Sequence, residues 1–216
     1  MNTKPKKMRI LITGGCGYVG TVLTEMLLNQ KYKVTVLDTQ WFGNVLKKNK
    51  NLKIIKMNIS NIHKLSLKKI DTVIHLANIA NDPAAELNPK LTWDVNVLFT
   101  NKLINQAIKF GVKKFIYASS GSVYGLKNEK KVTENLSLVP ISDYNKSKMI
   151  AERVLMSYQK KIKIFCIRPA TVCGYSKNMR LDVSVNMFVH QALFKKKITI
   201  FGGNQIRPNI HIIDLC

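Results

Sequence analysis

The feature that most constrains the fold is a group of glycines placed directly after a short apolar run. Residues 10–12 are Ile-Leu-Ile, and the next eight residues contain Gly14, Gly15, Gly17 and Gly20. An uninterrupted apolar run is typical of a buried parallel strand, and glycines allow the backbone to turn sharply after it. The sequence therefore predicts a strand that ends in a tight turn.

The same alternation of apolar runs and helical patterns continues along the chain and predicts an α/β fold. Strands are predicted at residues 9–13, 33–37, 53–57, 72–76, 114–118 and 163–167. Helices are predicted at residues 19–29, 91–110 and 143–159. We expect a Rossmann-like, doubly wound parallel sheet with an incomplete smaller C-terminal lobe.

The regular alternation of apolar runs and helical patterns ends after residue 168, which predicts a domain boundary. Residues 1–168 are interpreted as a dinucleotide-binding domain and residues 169–216 as part of a substrate-binding lobe. The predicted elements of this lobe are a helix near residues 183–194 and strands at residues 198–201 and 210–213. The sequence stops where another element begins, which suggests a missing tail.

Composition places the chain among ordinary globular proteins but leaves its positive charge to be explained. The 216 residues are 46% hydrophobic and carry a net charge of +23. Thirty of the 35 basic residues are Lys, scattered in pairs over many segments, whereas proteins that read duplexes concentrate Arg and aromatic residues. Solvated surface charge is the favoured interpretation over electrostatic binding to RNA or DNA, so no nucleic-acid partner is expected.

Cysteine and hydropathy patterns indicate the compartment. Cys16, Cys166, Cys173 and Cys216 form no CxxC motif and no metal-ligand spacing with the histidines, so reduced thiols and no metal site are expected. No apolar run approaches the roughly 20 residues that a membrane-spanning helix needs. We therefore expect a cytoplasmic protein.

The glycine turn also carries the first functional prediction. Glycines there let backbone N–H groups approach a pyrophosphate at a helix N-terminus. Asp38, which ends the second predicted strand, follows at the distance expected of a carboxylate that binds ribose hydroxyls and repels a 2′-phosphate. The pattern predicts a dinucleotide site that prefers NAD over NADP; the alternatives are a simple turn and a cap role for Asp38.

With Thr13, Gly14, Gly17 and Gly20, the pattern TGxxGxxG resembles the extended short-chain dehydrogenase/reductases, specifically the NAD-dependent nucleotide-sugar epimerase/dehydratase group. The resemblance continues through the segments around residues 58, 75, 96, 120, 168 and 202. Asn58 replaces an Asp usual in the family, and Asn78 replaces a small residue. The resemblance implies cofactor contacts by Gly14, Gly17, Tyr18, Val19, Gly20, Asp38, Asn58, Ile59, Leu76, Ala77, Asn96, Tyr144 and Lys148. Asn96 is further expected to support the active-site helix.

Tyr144 and Lys148 are four residues apart on a predicted helix, so they share one face. A neighbouring ammonium lowers the pKa of a phenol and makes it a usable base. The resemblance implies that these residues and Ser120, in the upstream SSGSVYG segment, are catalytic; the alternative for the serines is a turn at a strand end. Gly121 and Ser122 stand where dehydratases of the family carry acidic residues, which favours an epimerase or keto-sugar reductase.

On the substrate side, the resemblance implies nucleotide contacts by Asn186 and Arg207, and a UDP- or dTDP-linked sugar as substrate. His211 and Asp214 are expected to anchor the two lobes. The resembled family also dimerises through the helices predicted at residues 91–110 and 143–159, so a homodimer is expected. Two alternatives stay open: a dinucleotide-binding module without catalysis, because the lobe is incomplete, and a basic protein that binds RNA or DNA.

Overall fold

The computed structural model describes residues 7–216, and its centre is a six-stranded parallel sheet. The strands are β1 Arg9–Thr13, β2 Lys33–Asp38, β3 Leu52–Lys56, β4 Thr72–His75, β5 Lys114–Ala118 and β6 Lys163–Ile167. They lie in the order β3-β2-β1-β4-β5-β6. This order reverses between β1 and β4, and ligands of such sheets bind there, outside the carboxyl ends of the strands. The predicted Rossmann-like sheet is confirmed, with each strand within one residue of its expected bounds.

In the part of the chain that the structure describes, seven α-helices accompany the strands: α1 Tyr18–Asn29, α2 Asp82–Leu87, α3 Pro89–Trp93, α4 Phe99–Lys109, α5 Asp143–Met156, α6 Ser184–His190 and α7 Ile212–Leu215. A π-helical turn, Asp94–Leu98, joins α3 to α4, so the predicted helix 91–110 is one continuous but irregular element. The prediction for α5 extended three residues too far. Helix α2 was not predicted, although Asn81 as a capping residue and Pro83 in the first turn are its signals.

Alternate residues of each strand enter two hydrophobic layers, one on each face of the sheet. On one face Leu11, Val73 and Phe115 pack with residues of α4 and α5 such as Leu103 and Leu155. On the opposite face, residues of β1 and β2 pack with Leu23 of α1: Ile10, Ile12, Val34 and Val36. This two-sided burial holds the carboxyl ends of β1, β4 and β5 side by side.

The C-terminal segment forms a small second sheet. β7 Thr171–Cys173, which was not predicted, pairs in parallel with β8 Asn209–His211. The strand predicted at residues 198–201 is wrong, because no strand of the described residues lies beside it and Phe201 is exposed. The strand predicted at 210–213 is instead divided between β8 and α7. Within residues 7–216, none of the helices combines the length and apolar character needed to cross a bilayer.

Candidate active site

The glycine turn follows β1 and packs tightly on its protein side. Gly14 has a φ of +74°, and a Cβ atom there would lie 2.7 Å from the Ala77 nitrogen. A Cβ at Gly20 would lie 2.2 Å from the Gly14 oxygen, so the missing side chain lets α1 approach the turn. Gly17 differs, because its nearest neighbour to an added Cβ is 3.4 Å away. Its outer side is the one that a ligand can approach.

Helix α1 begins at this turn without a side-chain cap. Gly17 is the N-cap residue, and no side chain accepts a hydrogen bond from the first turn. The first N–H groups of a helix have no partner within the helix, and together with the helix dipole they favour an anion. The start of α1 therefore leaves the backbone N–H groups of its first residues, Tyr18, Val19 and Gly20, available to an anion.

The Tyr18 side chain points away from the glycine turn and toward the C-terminal segment. Its hydroxyl donates to the Gly174 carbonyl oxygen over 2.7 Å and accepts from Asn186 Nδ2 over 3.1 Å. Ser176 donates to the Tyr18 carbonyl, and Asn178 donates to the carbonyl of Cys16. Residues 174–178 are therefore attached directly to the glycine turn and the start of α1.

Asp38 ends β2 beside the glycine turn. One carboxylate oxygen accepts from the Cys16 N–H over 2.9 Å, and the other accepts from the Gln40 N–H over 2.6 Å. These bonds fix the carboxylate and leave acceptor capacity on both oxygens for ribose hydroxyls. The alternative role as a cap is partly realised, since the bond to Gln40 is local.

The residues predicted to contact the adenine, Asn58 and Ile59, follow β3. Asn58 is exposed, and its side-chain oxygen accepts from the Ser60 N–H over 2.9 Å, which caps the 3₁₀ turn Ile59–Lys64. Ile59 is buried in the hydrophobic layer beneath. The Ser60 N–H thus occupies one acceptor site of the Asn58 side chain, and the Ile59 side chain packs in the core.

Tyr144 and Lys148 lie on one face of α5, directed to the carboxyl end of the sheet. The Tyr144 ring packs against Ile79, Ala85 and Val95. Lys148 is 2% exposed, and its ammonium donates to the Ala118 oxygen over 2.7 Å. Its nitrogen lies 5.9 Å from the centre of the Tyr144 ring. The predicted pair is therefore adjacent and enclosed.

Burial pushes the two groups of this pair toward their neutral forms. Burial raises the pKa of Tyr144, hydrogen bonding by Ser120 and the charge of Arg180 lower it, and Asp82 raises it. Burial also lowers the pKa of Lys148 to about 7. Loss of hydration penalises a charged form unless another charge compensates. The phenol therefore needs additional positive charge nearby before it ionises near neutral pH.

Ser120 follows β5 and joins Tyr144 in the site. Its hydroxyl accepts from the Ser122 N–H over 3.2 Å, which caps the 3₁₀ turn Gly121–Tyr124, and it lies 2.7 Å from the Ser122 hydroxyl. The turn role that was the alternative for this serine is thus present as well. A Cβ at Gly121 would lie 3.0 Å from the Pro169 oxygen, so the position is crowded for a larger side chain.

Asn96 lies in the π-helical turn and is completely buried. Its amide donates to the Ile79 oxygen over 3.1 Å and to the Ser147 hydroxyl over 3.0 Å, and its oxygen accepts from the Ile79 N–H over 2.8 Å. Because both ends of the amide are used within the protein, its contacts are those of a positioning residue that ties α5 to the loop after β4. The predicted cofactor contact of Asn96 is not among these bonds and stays a prediction.

The two predicted nucleotide-binding residues differ in placement. Asn186 is buried, and its amide bonds to Gly174, Tyr18 and Arg180, so it holds the C-terminal segment together. Arg207 is exposed in the loop before β8, and its guanidinium forms no hydrogen bond or ion pair with the described residues. The structure brings neither side chain to the group formed by Tyr144, Lys148 and Ser120.

The predicted anchor residues act locally. The ring of His211 accepts from the Ile213 N–H over 3.4 Å and caps α7, while Asp214 is exposed. Helix α7 adds a further attachment to the larger part, because it packs beside α1 and its residue Ile212 is fully buried.

Sequence reasoning missed Arg180. Its guanidinium bonds both oxygens of Asp182, at 2.7 and 2.9 Å, and donates to the Ala80 oxygen over 3.2 Å. Its charge reaches Tyr144 and lowers the pKa of that phenol. The only signal for it is an Arg-x-Asp spacing in a chain with five arginines.

His75 has a structural place beneath the glycine turn. Its ring lies between the hydroxyls of Thr13 and Thr100, at 2.6 and 2.7 Å, and is completely buried. Burial and the nearby Lys148 lower the pKa of this imidazole to about 3, so it is neutral at neutral pH. The adjacent Leu76 and Ala77, predicted as cofactor contacts, lie against Gly14.

Comparison with known proteins places these features in context. A model of the NAD dependent epimerase/dehydratase family matches residues 10–216. A putative UDP-glucose 4-epimerase of Methanocaldococcus jannaschii is 30% identical over 214 residues, which cover 95% of this chain and 70% of that protein.

Solved structures resemble the chain over the same extent. A UDP-N-acetylglucosamine 4-epimerase from Methanobrevibacter ruminantium, in complex with UDP-N-acetylmuramic acid, matches with a TM-score of 0.89 and 27% identity; the match covers 97% of this chain and 71% of that one. A UDP-glucuronic acid 4-epimerase from Bacillus cereus, in complex with UDP-glucuronic acid and NAD, matches with a TM-score of 0.83 and 30% identity over 96% of this chain and 70% of that one.

Proposed function

Because the chain belongs to the NAD dependent epimerase/dehydratase family, we propose that it is an NAD-dependent enzyme acting on a nucleotide sugar. The reaction is reversible hydride transfer at a sugar carbon, either epimerisation or reduction of a keto-sugar. The observation that carries this proposal is the convergence of Ser120, Tyr144 and Lys148 at the carboxyl end of β5, in the same sheet whose strand β1 leads into the uncapped start of α1.

The described residues fit a bound NAD. The backbone at the start of α1 would hold the pyrophosphate, Asp38 the ribose hydroxyls on the adenosine side, and Lys148 the nicotinamide ribose. Gly17 leaves the approach to the helix open. When bound, NAD supplies the hydride acceptor and donor.

The chain's own residues then handle the proton. Tyr144 takes the proton from a sugar hydroxyl, and Lys148 stabilises the resulting phenolate. The Ser120 hydroxyl donates to the sugar oxygen and holds it as its carbon becomes a carbonyl. The hydroxyl of Ser122, 2.7 Å from that of Ser120, can donate to it and so leave the Ser120 proton for the sugar oxygen.

Residues 121 and 122 support epimerisation or reduction over elimination of water. Elimination needs a proton acceptor and a proton donor at the neighbouring carbon. Gly121 carries no side chain and faces Pro169 closely, and the Ser122 hydroxyl is engaged with Ser120. Neither position supplies a carboxylate.

The relatives support a UDP-linked substrate, because the two solved structures described above carry UDP derivatives; a dTDP sugar is the second choice. Arg207 is the candidate for the diphosphate. A planar guanidinium suits that task, and the unpaired side chain is available for it.

The test is a panel of UDP- and dTDP-linked sugars incubated with the protein and NAD, with products identified by proton NMR. We expect a new epimer, or sugar-dependent formation of NADH as the sugar is oxidised to a keto-sugar. Tyr144→Phe should lower kcat by about 10²- to 10⁴-fold while NAD still binds. Activity equal in the wild type and Tyr144→Phe would remove Tyr144 from the mechanism.

A second candidate is a dinucleotide-binding module without catalysis. Its support is the exposure of apolar side chains in the C-terminal segment, where Phe201 is 82% and Ile206 98% exposed. Side chains that face solvent in this way do not enclose a sugar. This candidate predicts NAD binding with no sugar-dependent signal for any member of the panel.

We also propose a cytoplasmic homodimer. All four cysteines are free, as expected in a reducing compartment. Leu98, just before α4, and Met156, the last residue of α5, are 45% and 40% exposed, and these helices form the expected dimer face. Sedimentation equilibrium would distinguish a dimer from a monomer.

A further inference from the structure

Glu152 is a buried acid that the proposed chemistry does not use. It lies on α5 four residues after Lys148 and eight after Tyr144, so the three side chains share one helical face. Its side chain is 5% exposed. A carboxylate in such a place must be paired, because an isolated buried charge is strongly unfavourable.

Arg168, just after β6, supplies the partner. Its Nε donates to the two Glu152 oxygens over 3.0 and 3.2 Å, and its Nη2 donates to one of them over 2.6 Å. Its Nη1 donates to the Tyr124 hydroxyl over 2.8 Å. Tyr124 ends the turn that Ser120 caps. One guanidinium therefore connects the helix of Tyr144 and Lys148 with the turn of Ser120.

The surroundings of Lys148 are otherwise poor in compensating charge. Its nitrogen has one hydrogen-bond acceptor among the described residues, the Ala118 oxygen. The rings of Tyr117 and Tyr144 pack around the ammonium, and the neutral imidazole of His75 lies close enough to sense its charge. Glu152 lies four residues further along the same helical face and makes no direct ion pair with Lys148 among the described residues; Arg168 and Cys166 lie beside its carboxylate. Burial lowers the pKa of Lys148, and Glu152 opposes that change.

We propose that Glu152 is a positioning residue that keeps Lys148 in its ammonium form. Arg168 fixes Glu152 and the turn Gly121–Tyr124 in position relative to Lys148. This inference rests on the proposed function, because an ammonium beside Tyr144 matters only if Tyr144 accepts a proton. It assigns the buried ion pair a role in the chemistry beyond packing.

The test measures the titration of Lys148 directly, without any sugar. The protein is labelled with 13C-lysine, and the Cε signal of Lys148 is assigned by its loss in Lys148→Arg. Glu152→Gln should lower the pKa of Lys148 by about one unit, since a near opposite charge acts on that scale. Glu129→Gln, the same charge change at an exposed position, should leave the titration unchanged.

If Glu152→Gln does not fold, Glu152→Asp moves the carboxylate back by one methylene and should give a smaller change of the same sign. An unchanged Lys148 titration in whichever of these variants folds would overturn the inference. In an active enzyme, the alkaline limb of kcat should move to lower pH together with Lys148. If the wild type is inactive but Glu152→Gln lowers the pKa of Lys148, the proposed function alone is contradicted. If the wild type is active but Glu152→Gln leaves the pKa of Lys148 unchanged, the inference alone is contradicted.

Discussion

The two parts of the chain use their apolar side chains differently. In the six-stranded sheet, residues such as Phe115 and Tyr117 are completely buried between neighbouring strands and helices. In the C-terminal segment, Phe201 and Ile206 face solvent, and the only strand pair is three residues long. Stability therefore resides in the sheet, and the C-terminal segment depends on its attachment to the glycine turn and α1.

The largest test of this difference compares two phenylalanines. Phe115→Ala removes a fully buried ring and should lower the free energy of unfolding by about 3–5 kcal/mol. Phe201→Ala removes an exposed ring and should change it by about 0.5 kcal/mol or less. Urea unfolding followed by circular dichroism gives both values. Equal losses would show that the C-terminal segment has a core of its own.

A second test compares two glycines of the larger part with similar φ angles. Gly14→Ala should cost about 1–2 kcal/mol for the left-handed conformation and about 1–3 kcal/mol more for overlap with the backbone of Ala77. Gly111→Ala, at a φ of +71° with no atom within 4 Å of the added Cβ, should cost only the first amount. Thermal unfolding measures stability, and NAD titration should show weaker binding for Gly14→Ala alone.

A third test compares the stability of the folded protein at two pH values and concerns His75. The unfolded chain protonates His75 near its ordinary pKa of about 6.5, while the folded protein keeps it neutral down to a pKa of about 3. Stability from this group is therefore present above pH 6.5 and is lost as pH falls toward 3, by at most about 1.4 kcal/mol per pH unit. Urea unfolding at pH 7 and pH 5 should show a smaller difference in His75→Gln. The same difference in both proteins would assign the acid sensitivity elsewhere.

The smallest effect is expected at the junction of the two parts. Tyr18→Phe removes the hydroxyl that joins Gly174 and Asn186 and should cost about 1 kcal/mol. Tyr175→Phe is the matched control, because that ring is 74% exposed. Hydrogen exchange at residues 174–178 should accelerate in the first variant only. No acceleration would mean that other contacts hold the segment.

The sequence predicted the centre of the sheet well because β1 and β4 are buried on both faces and therefore appear as apolar runs. It also predicted the turn after β1 and the pairing of Tyr144 with Lys148, since both follow from local spacing. Prediction failed at residues 198–201, whose apolar pattern suits a strand that has no partner beside it. The role of Arg180 was missed because the groups that it reaches across the site, Ala80 and Tyr144, are distant in sequence, although its ion pair with Asp182 is local. The role of Glu152 was missed because its partner, Arg168, lies beyond β6.

Asn96 occupies a turn that contains one residue more than a regular helix would hold. Deleting a single residue from this stretch would rotate Asn96 by about 100° around the helix axis and break its bonds to Ile79 and Ser147. The orientation of the helix that carries Tyr144 thus depends on the length of a neighbouring segment as well as on its composition. Point substitutions in α4 would leave that alignment in place, whereas an insertion or deletion in the π-helical turn would change the geometry of the proton acceptor.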